Sequence, residues 1–127
     1  DGGAHCGLIC DASFPTYMLT HWTRDRTRGP RIPIERAVQL QTAATADAYG
    51  MTDRGRLIPG KLADVNVIDY DDLYLHPPHM VHDLPAGGRR LLQDVDGYRH
   101  TIKSGVVTFT DGVATGERPG TVLRSGR

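Results

Sequence analysis

The sequence predicts an α+β chain, helical in its first part and antiparallel β afterwards. Three observations carry this. Ile34, Ala37, Val38 and Ala44 lie broadly along one side of a helix that Pro33 can open, because its missing N–H falls where no helical partner exists. From Leu62 the period changes to the alternation of a strand. Ser104-Gly105 and Asp111-Gly112 then read as tight turns between short strands, since such pairs adopt positive φ readily.

Taken in order, Asp1 to Gly7 carries two adjacent glycines and no hydrophobic period, and reads as a polar loop. Ser13 to Arg26 places Tyr17, Met18, His21 and Trp22 at helical spacings, so a helix is expected there. Four arginines between Arg24 and Arg31, broken by Asp25 and Gly29-Pro30, read as a solvated loop. Pro33 to Tyr49 is expected to be helical, with Glu35 in the favourable first turn, a continuation or restart at Thr42, and Gly50 as a left-handed cap. Gly55 to Lys61 is turn-rich. Leu62 to Asp69 is a predicted strand with Val65 and Val67 on one face and Asp64 and Asn66 on the other. Asp71 to Gly88, with three prolines and three histidines, reads as an ordered surface loop. Strands are predicted at Arg99 to Lys103 and Val106 to Thr110, with one more short strand around Val122 and Leu123.

Composition narrows the function classes. Fifteen Lys and Arg balance fifteen Asp and Glu in 127 residues, so no net field favours nucleic acid or an anionic membrane. Fifteen glycines and eight prolines exceed the roughly 12% of average usage, which favours turns over long helices. No apolar run approaches the ~20 residues of a membrane span, and the opening residues do not read as a signal peptide, so a soluble, cytoplasmic protein is expected. Cys6 and Cys10 are too few for a disulfide framework and lack the second pair of a structural zinc site. They read as two small buried thiols.

Three stretches resemble one family. Glu35-Arg36-Ala37-Val38, Thr42-Ala43-Ala44-Thr45-Ala46 and Gly55-Arg56-Leu57-Ile58-Pro59-Gly60-Lys61-Leu62-Ala63-Asp64-Val65 resemble the closing segment of the amidohydrolase superfamily. Asp1-Gly2-Gly3-Ala4-His5 is similar to the loop after that family's eighth barrel strand. Asp83-Leu84-Pro85-Ala86-Gly87-Gly88-Arg89-Arg90-Leu91 and Gly105 to Arg124 resemble the D-aminoacylase branch, which hydrolyses N-acyl-D-amino acids. The resemblance implies that residues 1–54 are the last strand-end loop and closing helices of a (β/α)8 metal-dependent barrel, and that residues 55–127 are the C-terminal portion of a small β-sandwich. A whole barrel typically needs about 250 residues, so the chain is expected to be a C-terminal fragment of the parent enzyme.

For that parent the resemblance implies zinc, an N-acyl amino acid substrate, and Asp1 as the proton shuttle and a possible metal ligand. The family's His-x-His motif does not occur here, so the chain alone is expected to bind no metal tightly and to be inactive. Its helical part is expected to need the remaining barrel segment, or another copy, as a packing partner. The rival reading is a free-standing, non-catalytic β-rich binding or assembly module descended from such a tail. Lys61 and Asp64 are assigned structural work at the Pro-Gly-Lys turn. His76, His79 and His82 could in principle bind a metal, yet Pro77 and Pro78 deny them a common helical face, and only Asp83 stands near as an orienting carboxylate. His5 with Cys6 could be base and nucleophile, but adjacent side chains rarely converge, and no third orienting residue is placed.

Overall fold

The computed structural model describes residues 5–124. A 3₁₀ turn, Asp11–Ser13, leads into α1, Phe14–Tyr17, with Pro15 in its first turn. The helix then widens into a π-helix, Met18–Asp25. The Arg26 N–H marks the widening by reaching five residues back to the His21 carbonyl at 2.8 Å. Threonine hydroxyls loosen the helical ladder here, Thr20 donating to the Thr16 carbonyl at 3.2 Å and Thr23 to that of Leu19. The helix expected over Ser13 to Arg26 is present, but in three windings.

The predicted helix from Pro33 to Tyr49 divides into α2, Ile34–Gln41, and α3, Ala43–Ala48. Thr42 breaks it, because its φ of −125° and ψ of −87° fall outside the helical region. Gly50 takes the expected left-handed conformation.

Among the described residues eight strands follow: β1 (Val65–Ile68), β2 (Tyr74–Leu75), β3 (His79–Leu84), β4 (Gly88–Leu92), β5 (Val95–Asp96), β6 (Tyr98–Lys103), β7 (Val106–Thr110) and β8 (Val113–Ala114). One antiparallel sheet has the order β1-β6-β7-β8, while β2 pairs with β5 and β3 with β4 as two-stranded ribbons. Both predicted turns hold: Ser104-Gly105 has φ of 52° and 81°, and Asp111-Gly112 has 45° and 77°. The architecture is α+β, as expected.

Several elements differ from the sequence reading. Asp71 to Gly88 is not one loop: it contains β2, β3 and a 3₁₀ turn, Pro85–Gly87. Prolines misled there because Pro77 and Pro78 fall between strands and Pro85 follows one, so none removes a ladder hydrogen bond. The predicted strand from Leu62 to Asp69 shrinks to four residues, and a bulge between Val67 and Ile68 interrupts its alternation. Val67 is exposed, while Ile68 pairs with Tyr98, leaving Arg99 of β6 as the extra residue, and packs against the core. Among the described residues no strand forms after Ala114, and Val122 and Leu123 are exposed.

The core is small. Leu19 from the π-helix, Ala37 from α2 and Leu73 from the β1–β2 connection meet there, with Met18, Ile34 and Tyr98 among the partly buried side chains around them. Gly97 closes the site from the sheet side. It has φ of 93°, and its missing Cβ would lie 2.7 Å from the Leu73 Cα, so the two backbones can touch only at glycine.

Arg24 joins the helical and β parts. Its Nη1 donates to the Tyr70 carbonyl at 2.5 Å and its Nη2 to the Leu73 carbonyl at 2.7 Å, while Asp25 pairs with it at 2.7 Å. Two hydroxyl pairs add to the joint, Thr23 with Tyr70 at 2.5 Å and Thr16 with Tyr98 at 2.9 Å. The arginine run is thus not a purely solvated loop. Sequence alternation of charge could not reveal that one of its members had carbonyls to satisfy 46 to 49 residues away.

Candidate functional site

Asp1, the expected shuttle and metal ligand, lies outside the described residues, as do Gly2 to Ala4. The segment that follows them is described. His5 is exposed and Cys6 half-buried, and the Cys6 carbonyl accepts the Leu91 N–H of β4 at 2.9 Å. Leu91 stands opposite Met80 of β3, so its N–H is free to leave the ribbon and hold this segment. A cleft of about 280 Å³ separates Ile9, Cys10 and Ser13 from Arg90 and Gln93. Its polar groups are already engaged: Ser13 Oγ donates to the Cys10 carbonyl, Arg90 pairs bidentately with Asp83, and Gln93 donates to the His76 carbonyl. Both thiols are half-buried rather than buried, because the N-terminal segment runs along the surface of the ribbon.

The three histidines of the 76–82 series do not converge. His76 lies just before the two prolines, with Nε2 2.7 Å from Asp96 Oδ2, and His79 opens β3 with Nδ1 3.6 Å from Asp94 Oδ2. The carboxylates beside them are Asp96 and Asp94, contrary to the expectation of Asp83, which is held by Arg90 at 2.6 Å. A strand sends successive side chains to opposite faces, so residues three apart within β3 do not form one ligand set. Among the described residues no group of three or more His, Cys, Asp or Glu side chains could hold a metal ion.

The remaining charges do structural work. Asp64 accepts Lys103 Nζ at 2.9 Å and the Ser104 N–H at 2.8 Å, and so braces the β6–β7 turn. Burial pushes its carboxyl up, but Lys103, the Ser104 N–H and Arg54 outweigh this and leave it below the ordinary carboxylate value. Lys61 bonds the Thr52 carbonyl across the Pro-Gly-Lys turn. Arg99 holds Asp69 at 2.9 Å and Asp72 at 2.8 Å, and that hydrogen bond keeps the Asp69 carboxyl low.

One surface feature has no such internal use. Phe14, Tyr17, Met18 and Trp22 line one side of the α1 and π-helix run, and with Ile32 they enclose an open apolar groove of about 530 Å³. Phe14 is 62% exposed and Tyr17 45%. Tyr17 stacks on His21 with centroids 4.8 Å apart, His21 meets Trp22 edge-on, and the Arg26 guanidinium lies 4.5 Å over the Trp22 ring. The helical spacing of Tyr17, Met18 and Trp22 was legible beforehand. Phe14 and Ile32 were missed because Ile32 arrives from beyond the arginine loop, brought by its N–H bond to the Trp22 carbonyl at 2.9 Å.

The chain thus presents a helical arm on an antiparallel β unit, with an unfilled apolar face and no complete ligand set among the described residues. It belongs to the amidohydrolase family, whose pattern matches residues 1–109. No curated protein and no solved structure matches the chain. Hydrolysis at carbon–nitrogen bonds is the chemistry of this family. No helix among the described residues is long and apolar enough to cross a membrane.

Proposed function

We propose that these residues form the C-terminal part of a metal-dependent hydrolase that cleaves the amide bond of N-acyl-D-amino acids, and that Asp1 is its proton shuttle. The family match over residues 1–109 carries the reading. The choice of N-acyl-D-amino acids rests on the likeness of residues 83–91 and 105–124 to the D-aminoacylase branch.

The surface supports a chain that works with more polypeptide. It exposes 9285 Å², where a compact monomer of 13.9 kDa exposes about 6,700 Å² by the usual scaling. The described residues do not fit the zinc that the resemblance implies, since they supply no ligand set.

Within this reading Asp1 takes the proton of the attacking water and passes it to the amide nitrogen, which leaves poorly as an anion. Asp1→Asn keeps the size and one carbonyl oxygen but takes up no proton at neutral pH. In the hydrolase that carries this chain it should lower kcat on an N-acetyl-D-amino acid by at least ~10², while metal content falls only in part. Retention of most of the parent kcat at full metal occupancy would remove Asp1 from that role.

A further inference from the structure

We infer that the groove of Phe14, Tyr17, Met18, Trp22 and Ile32 docks an amphipathic helix bearing carboxylates along one flank of its apolar face. The inference rests on the reading above, in which polypeptide outside these 127 residues completes the hydrolase. Two observations select this occupant. The groove is concave and almost wholly apolar, lined by side chains at helical spacings, which is the form that accepts the i, i+3, i+4 and i+7 side chains of another helix. One rim is cationic. Arg26 lies over Trp22, Arg28 and Arg31 follow in the exposed return loop, and the loop is drawn back by the Arg31 Nε bond to the Arg26 carbonyl at 3.2 Å and by the Ile32 bond to Trp22.

Among the described residues none of these three arginines is in an ion pair. The neighbouring carboxylate, Asp25, is bound to Arg24 by two hydrogen bonds and acts on Arg31 only at longer range, without an ion pair. An apolar partner without acid would leave the cations beside a newly dried surface, which is costly. A lipid surface fits less well, because insertion needs apolar side chains that protrude rather than line a hollow, and the chain as a whole carries no net positive charge.

Trp22 is the only tryptophan in the sequence, so its emission reports the groove directly. The chain is titrated with a synthetic helical peptide carrying leucines at i, i+3, i+4 and i+7 and glutamates on one flank, with the same peptide bearing lysines, and with vesicles of phosphatidylserine and phosphatidylcholine. The glutamate peptide should shift the emission to the blue and saturate, and binding should weaken with Arg28→Glu, whose exposed side chain makes no hydrogen bond among the described residues, and at least tenfold with the double variant Arg28→Glu/Arg31→Glu. A response equal for the lysine peptide, a response to vesicles alone, no response to the glutamate peptide, or an emission that changes on dilution of the chain by itself, as for a second copy, would each overturn the inference. In the intact hydrolase, the Trp22 share of the emission, taken by difference from Trp22→Phe, should resist acrylamide quenching. Free quenching in a fully active enzyme would sink the docking proposal and leave the hydrolase reading standing, whereas an unaffected Asp1→Asn variant would sink the hydrolase reading and leave the peptide titration meaningful.

Discussion

Replacing Gly97 by alanine should be among the most damaging single-methyl changes in the protein. The new Cβ would sit 2.7 Å from the Leu73 Cα, 2.9 Å from the Leu73 N and 2.9 Å from the Asp69 carbonyl oxygen. All three are backbone atoms, so no rotamer change relieves the contact, and ordinary carbon contacts lie near ~3.5 to 4.0 Å. The β5–β6 corner must therefore move by most of an ångström. That movement strains the Asp69 N–H bond to the Gly97 carbonyl, now 2.8 Å, and shifts Leu73, which is fully buried. The left-handed φ of 93° adds about 1–2 kcal/mol for any L side chain. Overpacking adds roughly 1–3 kcal/mol, and the total, about 2–5 kcal/mol, is a large part of an ordinary folding free energy. Gly112→Ala is the control, because Gly112 has φ of 77° but nothing within 4 Å of the added methyl. Urea unfolding followed by Trp22 emission and circular dichroism gives both values. If Gly97→Ala costs no more than Gly112→Ala, the close approach at Leu73 is not what fixes this corner.

Arg24→Ala should destabilise by roughly 1.5–3 kcal/mol, because it leaves the Tyr70 and Leu73 carbonyls short of a charged donor, and Arg24→Lys should restore only part of it; equal urea midpoints for wild type and alanine variant would refute the role. Acid should destabilise the fold only below about pH 4: arginine hydrogen bonds hold Asp47, Asp69 and Asp83 below their ordinary value, so their contribution is present above that value and is lost as pH falls through the lowered ones. A urea midpoint that stays constant from pH 4 to pH 2.5 would contradict this. Replacing His76 and His79 together by alanine should leave the turnover of the hydrolase within a few-fold, and a thousandfold loss, equal to about 4 kcal/mol of transition-state stabilisation, would put that corner in the active site.

The helices and hairpin turns were legible because their signals are local. Pro33 opens α2 from the N-cap position, and the two turn pairs take positive φ where the residue types favour it. The strands β2 and β5 were hidden, since two-residue pairings such as Tyr74 with Asp96 have no period of their own and depend on chain brought from about 20 residues away, while β3 and β4 were masked by the prolines before and between them. The same distance hid the work of Arg24, of Gly97 and of Asp94 and Asp96 beside the histidines. For the site, the family pattern was readable in residues that turn out to brace turns, Asp64 with Ser104 above all, while the chemistry was assigned to Asp1 alone. The apolar groove was half legible, because one helix supplies four of its side chains and a distant loop closes it with Ile32.

Leu19, Ala37 and Leu73 reach one another from three stretches of chain, and among the described residues only Thr16, Thr20, Ala46 and Gly97 are otherwise buried. Exchange of backbone amides with solvent should therefore be steeply graded. The slowest amides are those whose opening requires that junction to part, among them Asp69 on Gly97 and Ile32 on Trp22. The hairpin of β7 and β8, joined by only two residue pairs, opens without disturbing it. A covering partner laid on the helical arm would raise protection far beyond its own footprint, because it would stabilise the few contacts on which both halves of the chain depend.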